Sequence, residues 1–279
     1  MIESYLSAVS VAECDEMGHM NIQHYAAKAE AAARVLTALS PRNDNRHNAP
    51  VQMHLRFHRE MLAGDRVRVQ SARPDTAPDE GSANGRPSSQ LVHRIENVGT
   101  GLLCATALCT YKNDRAPDAP ISDMPEDAQP RSITTPAPDG LTQQAAVDAG
   151  LRRTHLSAIS EDDCVNDKMS IPAFLQRVSR SQSHLWSMVG FGRRQQAEAG
   201  LGTASLELRV TRLAPAPPGR ALEIVTGFTP PTGKALHYRH AGFDAVTGAC
   251  CFIAEGVGVM MDLSTRRAVR PPIPQTDFA

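Results

Sequence analysis

Aromatic residues are scarce: they make up 4% of 279 residues, with Trp186 the single tryptophan. Such scarcity points to an aliphatic ligand pocket rather than a stacked aromatic one. Net charge is almost absent as well, at −1, which argues against a dedicated nucleic-acid surface, because such surfaces are clearly basic. No apolar run approaches the roughly 18 residues that span a bilayer. The first residues carry Glu3 where a secretory leader needs positive charge, so the expected location is cytoplasmic. The six cysteines form no Cys-x-x-Cys and no His/Cys ligand spacing. They read as small buried hydrophobes in a reducing compartment, with no disulfide, no metal and no cofactor expected.

What the chain does hold is 41% hydrophobic and 21% charged residues over a length that suits two domains. Its organising stretch is Asp15 to Ala33, D-E-M-G-H-M-N-I-Q-H-Y-A-A-K-A-E-A-A-A. An acid opens it, Gly18 turns it, and Asn21 is placed to cap a helix. Ile22, Tyr25, Ala26, Ala29, Ala33 and Leu36 then follow a helical rhythm until Ser40-Pro41. So many alanines on one face predict a helix lying close against a sheet. Asp15, His19 and Asn21 gather at its N-terminus, where orphan N–H groups favour developing negative charge. That is a setting for acyl transfer.

Asp15, Gly18, His19, Asn21, Tyr25 and Glu30 stand in the order and spacing of a known signature. The pattern resembles the hotdog-fold thioesterases of the 4-hydroxybenzoyl-CoA thioesterase type. The resemblance implies a carboxylate at Asp15 that acts as nucleophile or general base, with His19 and Asn21 shaping the loop and positioning water. It implies a thioester oxygen held by backbone N–H near Ile22, with Gly18, Ile22 and Tyr25 on the substrate side. Glu30 reads rather as a structural or solvated acid, and Tyr25 equally as packing.

Taken in order, residues 4–12 read as a first strand and residues 41–50 as a polar loop. Val51, Met53, Leu55 and Phe57 alternate with polar neighbours, as on a half-buried strand. Val67 and Val69 continue the alternation after the Gly64-Asp65 turn, residues 74–87 read as loop, and residues 90–98 and 102–111 as two more strands. One strand, a helix and four antiparallel strands make an α+β domain with the helix packed on a curved sheet. From Lys112 to Gly140 the chain carries Pro117, Pro120, Pro125, Pro130, Pro136 and Pro138. That composition predicts an extended linker, with a short helix near Thr142 to Ala149.

Beyond it the first half recurs. Met169-Ser170-Ile171 follows Met20-Asn21-Ile22, with Phe174 at the Tyr25 position and Ser179 at the Glu30 position. Leu208-Arg209-Val210-Thr211-Arg212 echoes Leu55 to Arg59, and Thr247-Gly248 echoes Thr100-Gly101. The expected architecture is two tandem hotdog domains paired as a pseudo-dimer within one chain: residues 1–112, a linker at 113–150, and residues 151–279. The ending from Asp262 also resembles the tail of double-hotdog thioesterases. In the second half Asp167-Lys168 replaces Gly18-His19, so its motif is degenerate. Asp163 or Cys164 stands near the aspartate position.

The implied activity is hydrolysis of an acyl-CoA or acyl carrier protein thioester, by a soluble chain free of membrane and nucleic acid, with room for a homo-oligomer. Arg56, Arg59, Arg193, Arg194, Arg209 and Arg212 are candidates for phosphate contacts. Gly190-Phe191-Gly192 reads as a helix C-cap, and Trp186 as core. Two rival readings remain: a hotdog acyl-CoA dehydratase or hydratase, and a non-catalytic acyl-CoA-binding module.

Overall fold

The helix expected after Asn21 runs from Ile22 to Leu39 (α1), with the Asn21 side chain accepting the Ile22 N–H and Ser40 closing the C-terminus. It belongs to a computed structural model that describes residues 1–40, 49–75, 88–112 and 115–271. Most of the loops expected at 41–50 and 74–87 lie outside the described residues. The chain divides into two compact units, Met1–Arg131 and Ser132–Ala279. Each is a hotdog.

In the first unit the strands are β1 (Ile2–Ala8), β2 (Gln52–Phe57), β3 (Arg66–Pro74), β4 (Ser88–Asn97) and β5 (Leu102–Lys112), in sheet order β1-β3-β4-β5-β2. All pairings along that order are antiparallel. Alternation puts Val67, Val69, Leu91, Ile95, Ala105, Ala107, Met53 and Leu55 on one face, and all are fully buried. Against them α1 buries Tyr25, Ala26, Ala29, Ala32, Ala33 and Leu36. A helix surfaced with methyl groups approaches a sheet closely, so a larger side chain at Ala29 would cost about 1–3 kcal/mol by overpacking.

The second unit repeats this plan. Its strands are β7 (Arg152–Ala158), the short pair β8 (Cys164–Val165) and β9 (Lys168–Met169), β10 (Leu201–Arg212), β11 (Ala221–Thr232), β12 (Ala235–Asp244), β13 (Cys250–Asp262) and β14 (Arg267–Val269). The sheet order is β10-β13-β12-β11-β7, with β14 on β13. Helix α3 (Ile171–Met188) lies in the place of α1, starting at the Ser170 N-cap with Pro172 in its first turn. Phe174, at the Tyr25 position, stacks on Phe252 at 4.6 Å. Trp186 is in the core with Leu236 and Met260. Gly190 has a positive φ beyond the helix end, and the Phe191 N–H returns to the Trp186 carbonyl, as a C-cap turn requires.

The proline-rich segment is not a free tether. Residues 115–131 lie on the outer face of the first sheet. There β6 (Ile121–Ser122) pairs with β3, and Ala128 is buried against Ala72, Val92 and Leu108. Arg94 binds Asp127 at 2.6 Å, and Arg56 donates to the carbonyls of Glu126 and Gln129. From Ser132 onward the chain belongs to the second unit. Glu207 accepts the N–H groups of Ser132 and Ile133, and Arg209 donates to the Thr135 and Pro136 carbonyls. Helix α2 (Gln143–Asp148), capped by Thr142, buries Ala146 beside Val225 and Phe243. Proline cannot supply backbone donors, so arginine side chains hold the segment by its carbonyls instead. Arg56 and Arg209 are thereby committed to the fold rather than to phosphate. A second short helix, α4 (Arg193–Glu198), carries the exposed Arg194–Glu198 pair.

Strand register exposes the duplication more sharply than the sequence echoes do. Leu55 pairs with Ala107 and Val210 with Ala254, so the true counterpart of Leu55 is Val210, not Leu208. A buried chain of hydroxyls ends on histidine in both units. Ser4 meets Ser71 at 2.7 Å and Ser71 meets His93 Nδ1 at 2.6 Å. Thr154 meets Thr226 at 2.9 Å and Thr226 meets His240 Nδ1 at 2.8 Å. Both rings are fully buried, and burial pushes each imidazole down to about 3.

The unfolded chain binds protons on these histidines below about pH 6.5, whereas the folded chain does so only near pH 3. The stability they support is therefore present above pH 6.5 and lost as pH falls toward 3. A plot of Tm against pH should fall across that window, and His93→Gln/His240→Gln should flatten it. Equal slopes for both proteins would disprove the assignment.

Candidate active site

Two backbone bonds and one side chain shape the turn before α1. The Asp15 N–H donates to the His19 carbonyl, and the Gly18 N–H returns to the Asp15 carbonyl. Gly18 sits at φ +80°, a conformation that side chains with a Cβ resist. Asp15 Oδ1 accepts the N–H groups of Met17 at 2.9 Å and His19 at 3.1 Å. The aspartate thus clasps its own turn through one oxygen. No hydrogen bond engages Oδ2 among the described residues.

The turn is stitched to the segment after β2. The Met20 N–H donates to the Met61 carbonyl, and His19 bridges Leu62. This brings Glu60 to His19, with Oε1 3.6 Å from Nδ1, inside ion-pair range and beyond hydrogen-bond length. Nothing periodic in the sequence marks Glu60; only the Met20–Met61 pairing reveals it. A further acid, Glu13, lies beneath the turn. Its carboxylate accepts the Ser10 N–H and binds Lys28 at 2.9 Å, with His24 at 3.7 Å. Burial works to raise its pKa, but the Ser10 N–H, Lys28 and His24 outweigh it and hold the group below the usual carboxylate range. Lys28 is 3% exposed, so this pair is a structural clamp between turn and helix.

The remaining sequence candidates separate. Asn21 Oδ1 takes the Ile22 N–H at 2.7 Å, so the donor expected at Ile22 is already engaged. The next N–H of the helix, on Gln23, meets no acceptor among the described residues. Tyr25 is buried edge-on to Phe57 at 5.4 Å, and burial pushes its phenol well up. Glu30 is also buried, at 1% exposure, with Arg34 at 3.8 Å and Cys109 nearby. It is not a solvated acid.

The second unit lacks the Asp15, His19 and Glu60 side chains of this constellation. Cys164 pairs with Met169 as Cys14 pairs with Met20, but one residue fewer lies between them. Asn166 and Asp167 both adopt positive φ, closing a tight two-residue hairpin. Val165 then follows the cysteine where Asp15 does, Lys168 precedes the methionine where His19 does, and Ser170 caps the helix. The Met169 N–H donates to the Ala216 carbonyl, which puts Pro215 at the Glu60 position. Asp163 corresponds to Glu13 instead: it closes the capping box of Ser160 and binds Arg177, the counterpart of Lys28. Neither Asp163 nor Cys164 is an aspartate of the motif.

Residues 9–131 and 157–277 each match the thioesterase-like superfamily. The chain belongs to that superfamily. No curated protein sequence matches it. Several solved structures share the thioesterase fold over nearly the whole chain. A 12:0-ACP thioesterase from Umbellularia californica is 12% identical, with TM-score 0.60 and coverage of 91% of this chain and 92% of that one. An acyl-ACP thioesterase from Bacteroides thetaiotaomicron is 9% identical, with TM-score 0.56 and coverage of 91% and 96%. The TesB protein of Mycobacterium avium subs paratuberculosis is 12% identical, with TM-score 0.55 and coverage of 91% of each. At such identities the likeness is one of fold. Among the described residues no cluster of metal-ligating side chains occurs and no helix is long and apolar enough to cross a membrane.

Proposed function

We propose that this thioesterase-like chain hydrolyses an acyl thioester, on coenzyme A or on an acyl carrier protein, at the turn that opens α1. The observation that carries the reading is Asp15: one carboxylate oxygen is anchored by two N–H groups, and the other is left to react beside a helix N-terminus. As general base, Oδ2 takes a proton from water while the water oxygen bonds to the thioester carbon. As nucleophile, Oδ2 bonds to that carbon itself and water then cleaves the mixed anhydride. Either way the carbonyl oxygen gains negative charge, and the Gln23 N–H at the positive end of α1 is the donor to stabilise it. Collapse expels a thiolate, which leaves without a strong acid. The products are a carboxylic acid and a thiol.

His19, with Glu60 behind it, orients the water. The names of the similar structures, two of them thioesterases of acyl carrier protein substrates, support this choice of reaction. A panel of acyl-CoA thioesters tests it. Thiol release is the expected result; loss of an enoyl absorbance would indicate a hydratase, and binding with neither would indicate a non-catalytic module. On the substrates that turn over, Glu60→Gln should lower kcat by up to about a hundredfold, the range for a misplaced catalytic group, with KM little changed.

A further inference from the structure

The two units differ sharply along one stripe. In the second unit α3 carries Arg180 and His184, one turn apart and both exposed, beside the edge strand β7 with Arg152 and His155. In the first unit the same four positions hold Ala31, Val35, Ile2 and Tyr5. His155 Nε2 is 3.0 Å from the Ser157 hydroxyl, which also accepts from Arg177. That ties the strand side of the stripe to the helix side. Burial, then Arg177, Arg180 and His184, lower the proton affinity of His155, so these side chains share one neighbourhood.

Two carboxylates near the stripe are already committed, and Glu161 and Asp162 lie exposed beyond its Asp163 end. Asp163 binds Arg177, and Glu223 binds Arg153 at 3.1 Å. Arg152, Arg180 and His184 have no carboxylate partner among the described residues. Charges on an edge strand can serve only to deter strand pairing. However, the equivalent edge of the first unit, β1, does without such a stripe, so the fold does not demand one.

We infer that this stripe is a docking surface for an acidic protein partner. The cations stand along an exposed helix and strand rather than converging on a cup lined by N–H groups. A row of that kind suits the carboxylates of a protein surface better than a single phosphate. If the chain is a thioester hydrolase, the reading above on which the partner's identity rests, that protein is the acyl carrier protein bearing the substrate. Complementary charge then speeds encounter and makes it sensitive to salt.

The test compares one acyl group on three carriers: uncharged pantetheine, coenzyme A and acyl carrier protein. Arg180→Glu/His184→Glu should lower kcat/KM for the carrier-protein thioester at least about tenfold at low salt, leaving the pantetheine thioester unchanged. Binding of unloaded carrier protein should weaken in parallel. Arg180→Ala/His184→Ala, milder at two exposed positions, should give a smaller loss in the same direction, and it decides the matter if the reversed variant fails to fold. Unchanged carrier-protein kinetics and binding overturn the inference. So does a loss confined to coenzyme A, which would assign the stripe to a nucleotide. If the wild type hydrolyses none of the three, the thioesterase reading falls. The binding measurement still decides the stripe: charge-dependent binding of carrier protein upholds it, and no binding overturns it.

Discussion

Asp15→Asn is expected to leave the protein folded while cutting thioester turnover by at least about a hundredfold. The substitution is informative because the proposed mechanism gives the Asp15 side chain two jobs on two oxygens. Its Oδ1 accepts from Met17 and His19 and so shapes the turn. An asparagine Oδ1 accepts the same two bonds, so the turn and the start of α1 should persist with little change in Tm. The amide cannot take a proton from water or attack a thioester, so charge and basicity are what is lost. Asp15→Ala removes both jobs and should lower Tm as well as turnover. Turnover of Asp15→Asn near the wild-type rate would sink the assignment. A single turnover in oxygen-18 water separates the two chemical routes, because only the nucleophilic route transfers label into Asp15.

Arg177→Ala should be the most destabilising change in the second unit, at about 3–5 kcal/mol, the range for breaking a buried ion pair from one side. Arg177 donates to Asp163 at 2.8 and 3.1 Å, to the Ser157 hydroxyl, and to the carbonyls of Ala158 and Ala173. Truncation leaves Asp163 without its cation and these acceptors without a donor. For a domain of this size Tm should fall by on the order of 10 °C. Turnover per folded molecule should be unchanged, since Asp163 stands at the Glu13 position and not at that of Asp15. Arg177→Lys should recover part of the loss, because the first unit uses Lys28 there. Activity falling with Tm unchanged would overturn the structural role.

The same pair predicts an acid limb. Burial alone would raise the Asp163 pKa, but the Arg177 guanidinium and the N–H and hydroxyl of Ser160 hold it at about 2. Its stabilisation is therefore present above the ordinary carboxylate pKa and lost as pH falls toward 2. Arg177→Ala should remove most of this contribution and leave the one from His93 and His240 in place.

Local features were legible because they need only neighbours in the chain. The Asn21 cap, the 3.6-residue spacing of α1, the positive φ of Gly18 and the alternation along β2 and into β3 all come from backbone sterics and period. So did the short helix near Thr142, whose cap is a matter of a few residues. The degeneracy of the second motif was visible in Asp167-Lys168, although its geometry was not. A one-residue deletion closed on Asn166 and Asp167 looks in sequence like an ambiguous alignment. Once the hairpin is formed, Val165 is unmistakably the position of Asp15.

What the tertiary structure alone decided concerns residues far apart in the chain. Glu60 beside His19, Lys28 beneath Glu13, and the pairing of His93 with Ser71 each depend on which strand lies next to which and in what register. Register is a property of the whole sheet, and a slip of one residue turns every side chain to the other face. The echo that matched Leu55 to Leu208 missed by two positions for this reason. The ladder itself shows the offset, since Leu208 pairs with Gly256 and Val210 with Ala254. The proline-rich segment teaches the same point, since its composition argues for a tether. Burial of Ala128 and the arginine bonds to its carbonyls come from the sheet surface it crosses. The chain carries the chemistry of its turn and helix on its face, while the partners of those groups are assigned only when the sheet closes around them.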